Sequence, residues 1–162
     1  SMWVGTAGGP QKISQGPGWV MIEGEQFRDR RIVPTDDRAH GNVRHWLGES
    51  VGHWEDNTLI VETRNFLDKS NERWLATWRV PTETMRLAER FTRVADDTLM
   101  YQLTIEDPAK FTKPWTVEVP LTKLDQPYLE YACHEGNYGV IHTLSGARAQ
   151  EQEAAKSSGR PR

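Results

Sequence analysis

Two short polar clusters hold most of the side chains in this chain that could do chemistry. The first cluster, residues 34–54, contains three of the five histidines among carboxylates and arginines. Histidine changes charge near neutral pH, and a neighbouring carboxylate can fix its tautomer, so this combination is typical of acid/base sites. The candidate site residues of the first cluster are Asp36, Asp37, Arg38, His40, His45 and Trp46.

The second cluster, residues 134–138, follows directly after a β-like run that ends at Cys133. The end of a strand holds a side chain rigidly, which suits a catalytic group. Neighbouring strand residues point to opposite faces, so we interpret Cys133 as a buried apolar residue and not as a nucleophile for His134. The candidate site residues of the second cluster are His134, Glu135, Asn137 and Tyr138.

The two clusters together predict a set of catalytic roles. We expect His134 to act as base or acid, with Glu135 or Asp37 as the carboxylate that orients it. His40 is then the partner acid. The donors to a developing negative charge are Asn137 and Tyr138.

The same side chains also have structural interpretations. In a solvated loop, Asp36 or Asp37 caps a turn and Arg38 pairs with one of them. At a strand end, His134 and Asn137 satisfy backbone groups. Metal ligation by Asp and His is a further alternative, but no compact ligand spacing is present, so we predict neither a metal nor another cofactor.

Glu89 is a third candidate, because alternation places it in an apolar stripe with Leu87 and Phe91 on one strand. A buried carboxylate needs either a proton, as in a general acid, or a basic partner. We favour a structural ion pair, with Arg31 or Arg86 as the partner.

Three of the seven tryptophans, Trp46, Trp74 and Trp78, lie in predicted loops. Aromatic side chains at the mouth of a pocket suit a flat or sugar-like ligand, although large aromatics are more often core residues. The long connection over residues 64–82 is typical of a lid or binding loop, or of a cover over an open barrel end.

Hairpins are the elements that must position these candidates. The clearest is a strand from Val51, a turn at Asp56-Asn57 and a return strand to Thr63. A two-residue turn pairs Trp54 with Leu59 and His53 with Ile60. This register predicts that Trp54 faces the core and that His53 faces water.

A second hairpin is predicted from Met85 to Val94 and from Thr98 to Glu106, and further β-like runs bring the total to about eight strands with little helix. We therefore predict an all-β domain, an antiparallel calycin/lipocalin-like barrel, with a β-sandwich as the alternative. We expect a flexible arm over residues 1–18, the barrel over 19–144 and a mobile polar tail over 145–162.

Composition excludes several functional classes. The 20 basic and 23 acidic residues are mixed along the chain without a basic run, so nucleic acid is not an expected partner. No apolar run is long enough for a spanning helix, and we expect no membrane insertion. Residues 1–18 lack the regions of a signal peptide. A phosphate-binding loop, a nucleophile elbow and a zincin motif are absent.

Several motifs resemble a family of β-rich bacterial proteins that are often exported and have no established activity. The family carries a Gly-x-Trp-Glu-Gly-Asp-Thr-Leu hairpin, and this chain has Asp56-Asn57 where Gly-Asp is usual. The resemblance implies a single β-rich domain and an exported or periplasmic location. It is carried by residues 49–63, 89–91, 112–115, 130–138 and 144–148.

The leading functional expectation is an enzyme that acts on a small organic molecule by metal-independent acid/base chemistry, as a lyase, isomerase or hydrolase. A lipocalin-like carrier without turnover is the alternative, and an interaction module that docks through Trp74 and Trp78 is a third reading. A homo-oligomer is compatible with each.

Overall fold

A computed structural model describes residues 10–25, 30–68, 81–129, 132, 135–157 and 159. The chain divides into two compact units, Ser1–Leu129 and Glu130–Arg162. The first unit contains every strand of the described residues, and the second contains a helix. This division differs from the expected boundary after residue 144.

The first unit begins with a three-stranded antiparallel sheet in the order β1-β2-β3. The prediction of a flexible arm over residues 1–18 is wrong for β1, which pairs along its whole length with β2. β1 contains few apolar residues, so its sequence shows no apolar alternation. The strand is formed by its pairing with β2. The strands are β1 Gln11–Gly16, β2 Trp19–Gly24 and β3 Arg30–Pro34.

A five-stranded antiparallel sheet follows, with its strands in sequential order. Both predicted hairpins are present, and the predicted pairs Trp54 with Leu59 and His53 with Ile60 are confirmed. The strands are β4 Glu49–Glu55, β5 Thr58–Arg64, β6 Arg86–Ala95, β7 Thr98–Glu106 and β8 Trp115–Thr122.

The all-β class is confirmed, but the described strands form two separate sheets and no closed barrel. One buried cluster combines Val20 and Val33 of the small sheet with Val61 and Leu103 of the large one. This arrangement fits the sandwich alternative. Hairpin signals specify neighbouring strands, whereas barrel closure depends on strand tilt and stagger, which local patterns do not encode.

Gly52 of β4 lies against Val33 of the small sheet. A Cβ at this position would lie 2.9 Å from Cγ1 of Val33 and 3.0 Å from the carbonyl oxygen of Ile60. Trp54, two residues later, pairs with Leu59 and so lies on the predicted face, but it is 49% exposed and is not a core residue. Its strand is at the sheet edge and Trp54 stands beside the terminal turn, where the face is not enclosed.

An ion pair lies inside the core. Glu89 is fully buried, and its carboxylate accepts hydrogen bonds from Arg31 at 2.5 and 3.0 Å and from the Tyr101 hydroxyl at 2.8 Å. Burial works to lower the pKa of Arg31, but the Glu89 carboxylate outweighs it and the pKa is raised. The predicted ion pair with Arg31 is thus confirmed, and it links β3 to β6.

The C-terminal unit contains helix α1, Gly139–Ser157, which has no buried residue. The expected mobile polar tail over residues 145–162 is helical as far as Ser157. Helix formers such as Ala, Arg, Gln and Glu dominate its second half, and propensity sustains the helix without an apolar face. The predicted strand after Pro127 is not formed at Tyr128 and Leu129. Within the described chain, no helix has the length and apolar character needed to span a membrane.

Glu89→Gln tests the ion pair. Removing one partner of a buried pair leaves Arg31 uncompensated, which costs about 3–5 kcal/mol of unfolding free energy. Urea denaturation should show this loss, while Glu118→Gln, at an exposed hydrogen bond on β8, should change little. A loss below about 1 kcal/mol, the scale of an exposed pair, would contradict the structural role.

Candidate functional site

Residues 40–48, which we call the strap, are fastened to the chain that follows β5. The His45 N–H donates to the Asn65 carbonyl at 2.8 Å, and the Leu67 N–H donates to the His45 carbonyl at 2.9 Å. His45 also forms an isolated parallel bridge with Phe66, whose side chain is fully buried. The strap is therefore held at its centre by backbone hydrogen bonds.

Two further residues fix the end of the strap. The Arg44 guanidinium donates to the carbonyls of Phe66 and Glu83, both at 3.1 Å, and lies 3.2 Å from the Glu83 carboxylate. Gly48 has a φ of 72°, and a Cβ there would lie 2.7 Å from the Phe66 ring. Only glycine fits this close approach without strain.

The Glu49 carboxylate, on the first residue of β4, reaches back to the start of the strap. It accepts hydrogen bonds from the Gly41 N–H at 2.9 and 3.1 Å and from the Asn65 amide at 2.9 Å. The Gly41 hydrogen bond is the main cause that lowers the pKa of Glu49, and Asn65 and His40 add to the effect against partial burial. Glu49 is thus held as an anion beside the strap.

His40 lies between two carboxylates. Its side chain is 13% exposed, with Nδ1 at 3.6 Å from Oε2 of Glu49 and Nε2 at 4.0 Å from Oε2 of Glu62. Both ring nitrogens are buried, and neither has a hydrogen-bond partner among the residues that the structure describes. Glu62 is also paired with Arg64 at 2.7 Å, so part of its charge is compensated.

This arrangement favours proton transfer at His40. A carboxylate beside Nδ1 favours the tautomer with its proton on that atom, which leaves the Nε2 lone pair as a base. Buried polar atoms in native structures almost always have hydrogen-bond partners, so the two ring nitrogens mark His40 as a candidate functional residue. Within the described residues, this geometry makes His40 a candidate for proton transfer.

The other candidates of the first cluster have local partners. Asp36 pairs with Arg38 through hydrogen bonds of 2.5 and 2.7 Å, and these chiefly lower the pKa of Asp36. Asp37 has a φ of 58°, as expected in a turn. Trp46 is half exposed. The solvated-loop interpretation thus describes the exposed segment before the strap.

The described members of the second cluster lie in the C-terminal unit. The Asn137 side chain accepts a hydrogen bond from the Gly139 N–H at 3.0 Å and so caps α1. The Tyr138 ring packs edge-on against His142, with centroids 6.1 Å apart, and Glu135 lies in a turn. Asn137 thus satisfies a backbone group, as in its structural interpretation, but at the start of a helix and not at the end of a strand. His134, Trp74, Trp78 and Cys133 lie outside the described residues.

Sequence reasoning did not select Glu49 and Glu62, which flank His40, or Asn65, which donates to Glu49, as site residues. The predicted hairpin register already placed Glu62 on the face opposite Leu59 and Val61, which was a usable signal for Glu62. Contacts from Glu49 and Asn65 to the strap depend on how the loop returns over the sheet, and no periodic pattern encodes that path.

Among the residues that the structure describes, no three His, Cys, Asp or Glu side chains are grouped to hold a metal ion. Comparison with protein-family models, curated proteins and solved structures gave no match to this chain. The family resemblance, carried by the hairpin at residues 49–63 and by the motif at residues 89–91, therefore remains a prediction.

The lowered pKa of Glu49 predicts a pH dependence of stability. The unfolded carboxyl titrates near its ordinary value of 4.5 and the folded one below it, so Glu49 stabilises the fold above pH 4.5. This contribution is lost as the pH falls through the folded pKa. Urea denaturation from pH 6 to 3 should show a steeper loss in the wild type than in Glu49→Gln. If the unfolding free energy fell equally with pH in both proteins, the stabilising role of Glu49 would be contradicted. Glu118→Gln serves as the control.

Proposed function

We propose that this chain is an enzyme that acts on a small organic molecule by metal-independent acid/base chemistry. The observation that supports this is His40, whose two buried ring nitrogens lie 3.6 Å from Glu49 and 4.0 Å from Glu62, with no closer hydrogen-bond partner among the described residues. Lyase, isomerase and hydrolase steps all use a base that takes a proton and an acid that returns it. His40 can serve as both in turn.

The proposed roles follow the geometry of the strap. Glu49 orients His40 through Nδ1, and Nε2 takes the proton from the substrate. Glu62 lies nearest to Nε2 and stabilises the charged imidazolium after the transfer. Because Nε2 is buried, a substrate can reach it only after a movement of the residues around His40.

The proposed site differs from the one expected at the outset. It lies over the face of β4 and β5 that carries Glu49 and Glu62, and not in a barrel interior. Its base is His40, where the expectation gave that role to His134 and made His40 the partner acid. The combination with Glu135, Asn137 and Tyr138 stays a prediction.

A substrate panel tests the enzyme proposal. The panel covers esters, lactones, hydroxy acids that can lose water, and carbonyl compounds whose α-protons exchange with deuterium. His40→Gln should lower any observed rate by about 10²–10⁴-fold, the usual contribution of a general acid/base.

His53→Gln is the matched control, because His53 also lies beside a glutamate, Glu55, at 3.4 Å, but on an exposed surface outside the strap. It should retain the wild-type rate. Equal rates for wild type and His40→Gln, or no turnover of any compound in the panel, would contradict the enzyme proposal.

A lipocalin-like carrier is the second candidate, and one feature of β8 favours it. Val117 and Val119 pair with the core residues Leu103 and Tyr101 and so share their face, yet they are 38% and 42% exposed. Glu89 is paired internally, as expected for a carrier interior. An apolar ligand would cover the two valines on this face.

Val119→Lys tests the carrier reading. With the neutral apolar dye Nile red as the probe, the wild type should show saturable fluorescence, and the substitution should weaken binding by placing a charge on the apolar face. Val94→Lys, at a position 56% exposed on β6, is the control and should bind like the wild type. Equal binding by all three proteins would count against a carrier site at β8.

A further inference from the structure

We infer that Asn65 is a positioning residue that sets the geometry between Glu49 and His40 by holding the carboxylate and the strap with a single side-chain amide. This inference rests on the proposed role of His40. It adds a residue that belongs to neither polar cluster of the sequence, and it concerns how the site is assembled.

The contacts of Asn65 converge on the start of the strap. Its Nδ2 donates to Oε2 of Glu49 at 2.9 Å and to the carbonyl of Gly41 at 2.9 Å. Oε2 is the same Glu49 oxygen that lies 3.6 Å from Nδ1 of His40. One amide thus fixes both the carboxylate that faces the imidazole and the residue that follows the histidine.

The backbone of Asn65 takes part in the same junction. Its carbonyl accepts the N–H of His45 at 2.8 Å, so the residue contacts the strap at two separate points. Its φ of 57° lies in the left-handed region, which asparagine enters more readily than most residues. The left-handed turn directs the side chain back over the start of the strap just after β5 ends at Arg64.

The charges around this junction come from three elements. Glu49 belongs to β4, Glu62 and Arg64 belong to β5, and His40 belongs to the strap. Asn65 is the neutral member, and it donates without adding charge. An aspartate in its place would set a second anion against Glu49 at hydrogen-bond distance.

Two substitutions separate the effect of the Asn65 side-chain amide from the effect of its left-handed backbone. Asn65→Gly keeps the left-handed φ without strain and removes the amide, and Asn65→Asp keeps the shape but replaces the donor with an anion. Asn57→Gly is the matched control. The Asn57 amide also donates to a backbone carbonyl, that of Arg93 at 3.1 Å, but at the opposite end of the β4–β5 hairpin.

The first readout is the Glu49 carboxyl pKa, measured by carbon NMR in glutamate-labelled protein and assigned with Glu49→Gln. The pKa should rise in Asn65→Gly, because a donor to the anion is lost, and rise further in Asn65→Asp, because a like charge is added. It should not change in Asn57→Gly. An unchanged Glu49 pKa in both Asn65 variants would overturn the inference.

The second readout is the rate at which diethyl pyrocarbonate modifies His40, followed by peptide mass spectrometry with His53 as the internal reference. The covered ring should react slowly in the wild type and several-fold faster in Asn65→Gly, relative to His53. The same ratio in Asn65→Gly and Asn57→Gly would overturn the positioning role.

Neither readout needs turnover, so this inference and the enzyme proposal can fail separately. Changed Glu49 titration and His40 reactivity in a protein that turns nothing over would support the positioning role and contradict the enzyme proposal. A rate that depends on His40 but is unaffected by Asn65→Gly, with no change in Glu49 titration, would support the enzyme proposal and contradict the positioning role of Asn65.

Discussion

The Glu49 carboxylate is the contact on which the candidate site depends. Its hydrogen bonds join the first residue of β4 to Gly41 in the loop that precedes the strand and to Asn65 directly after β5. A carboxylate that accepts several N–H groups is stable as an anion, and this one also faces His40. The position of the imidazole therefore follows from the position of Glu49, which the β4–β5 ladder fixes.

The two faces of the β4–β5 ladder carry different groups of residues. On one face Leu59 and Val61 join the core shared with the three-stranded sheet, and on the other Glu49 and Glu62 lie beside His40. Because side chains alternate, the register that buries the apolar residues also presents both glutamates on the opposite face. Core packing and the placement of the two glutamates beside His40 are thus set by one register.

Alternation and turn chemistry predicted both hairpins of the large sheet, which follow from local patterns. The cost of an unpaired buried charge predicted a basic partner for Glu89, with the choice left between Arg31 and Arg86. The apolar pattern did not predict the separation into two sheets, strand β1 or helix α1. The two sheets and β1 depend on strand pairing, and α1 depends on the helix propensity of its residues. At the site, His40 was a candidate from its residue type. Its contacts with Glu49 depend on a loop path and on the left-handed Asn65, which the sequence does not encode locally.

The most direct test of the account is the tautomer of His40, read from long-range proton–nitrogen NMR correlations of the imidazole in the neutral form. The account predicts a proton on Nδ1 in the wild type, because Glu49 faces that atom, and a shift toward the Nε2–H tautomer in Glu49→Gln. A wild-type ring protonated on Nε2, or a tautomer that does not respond to Glu49→Gln, would contradict the claim that Glu49 orients His40 for proton transfer.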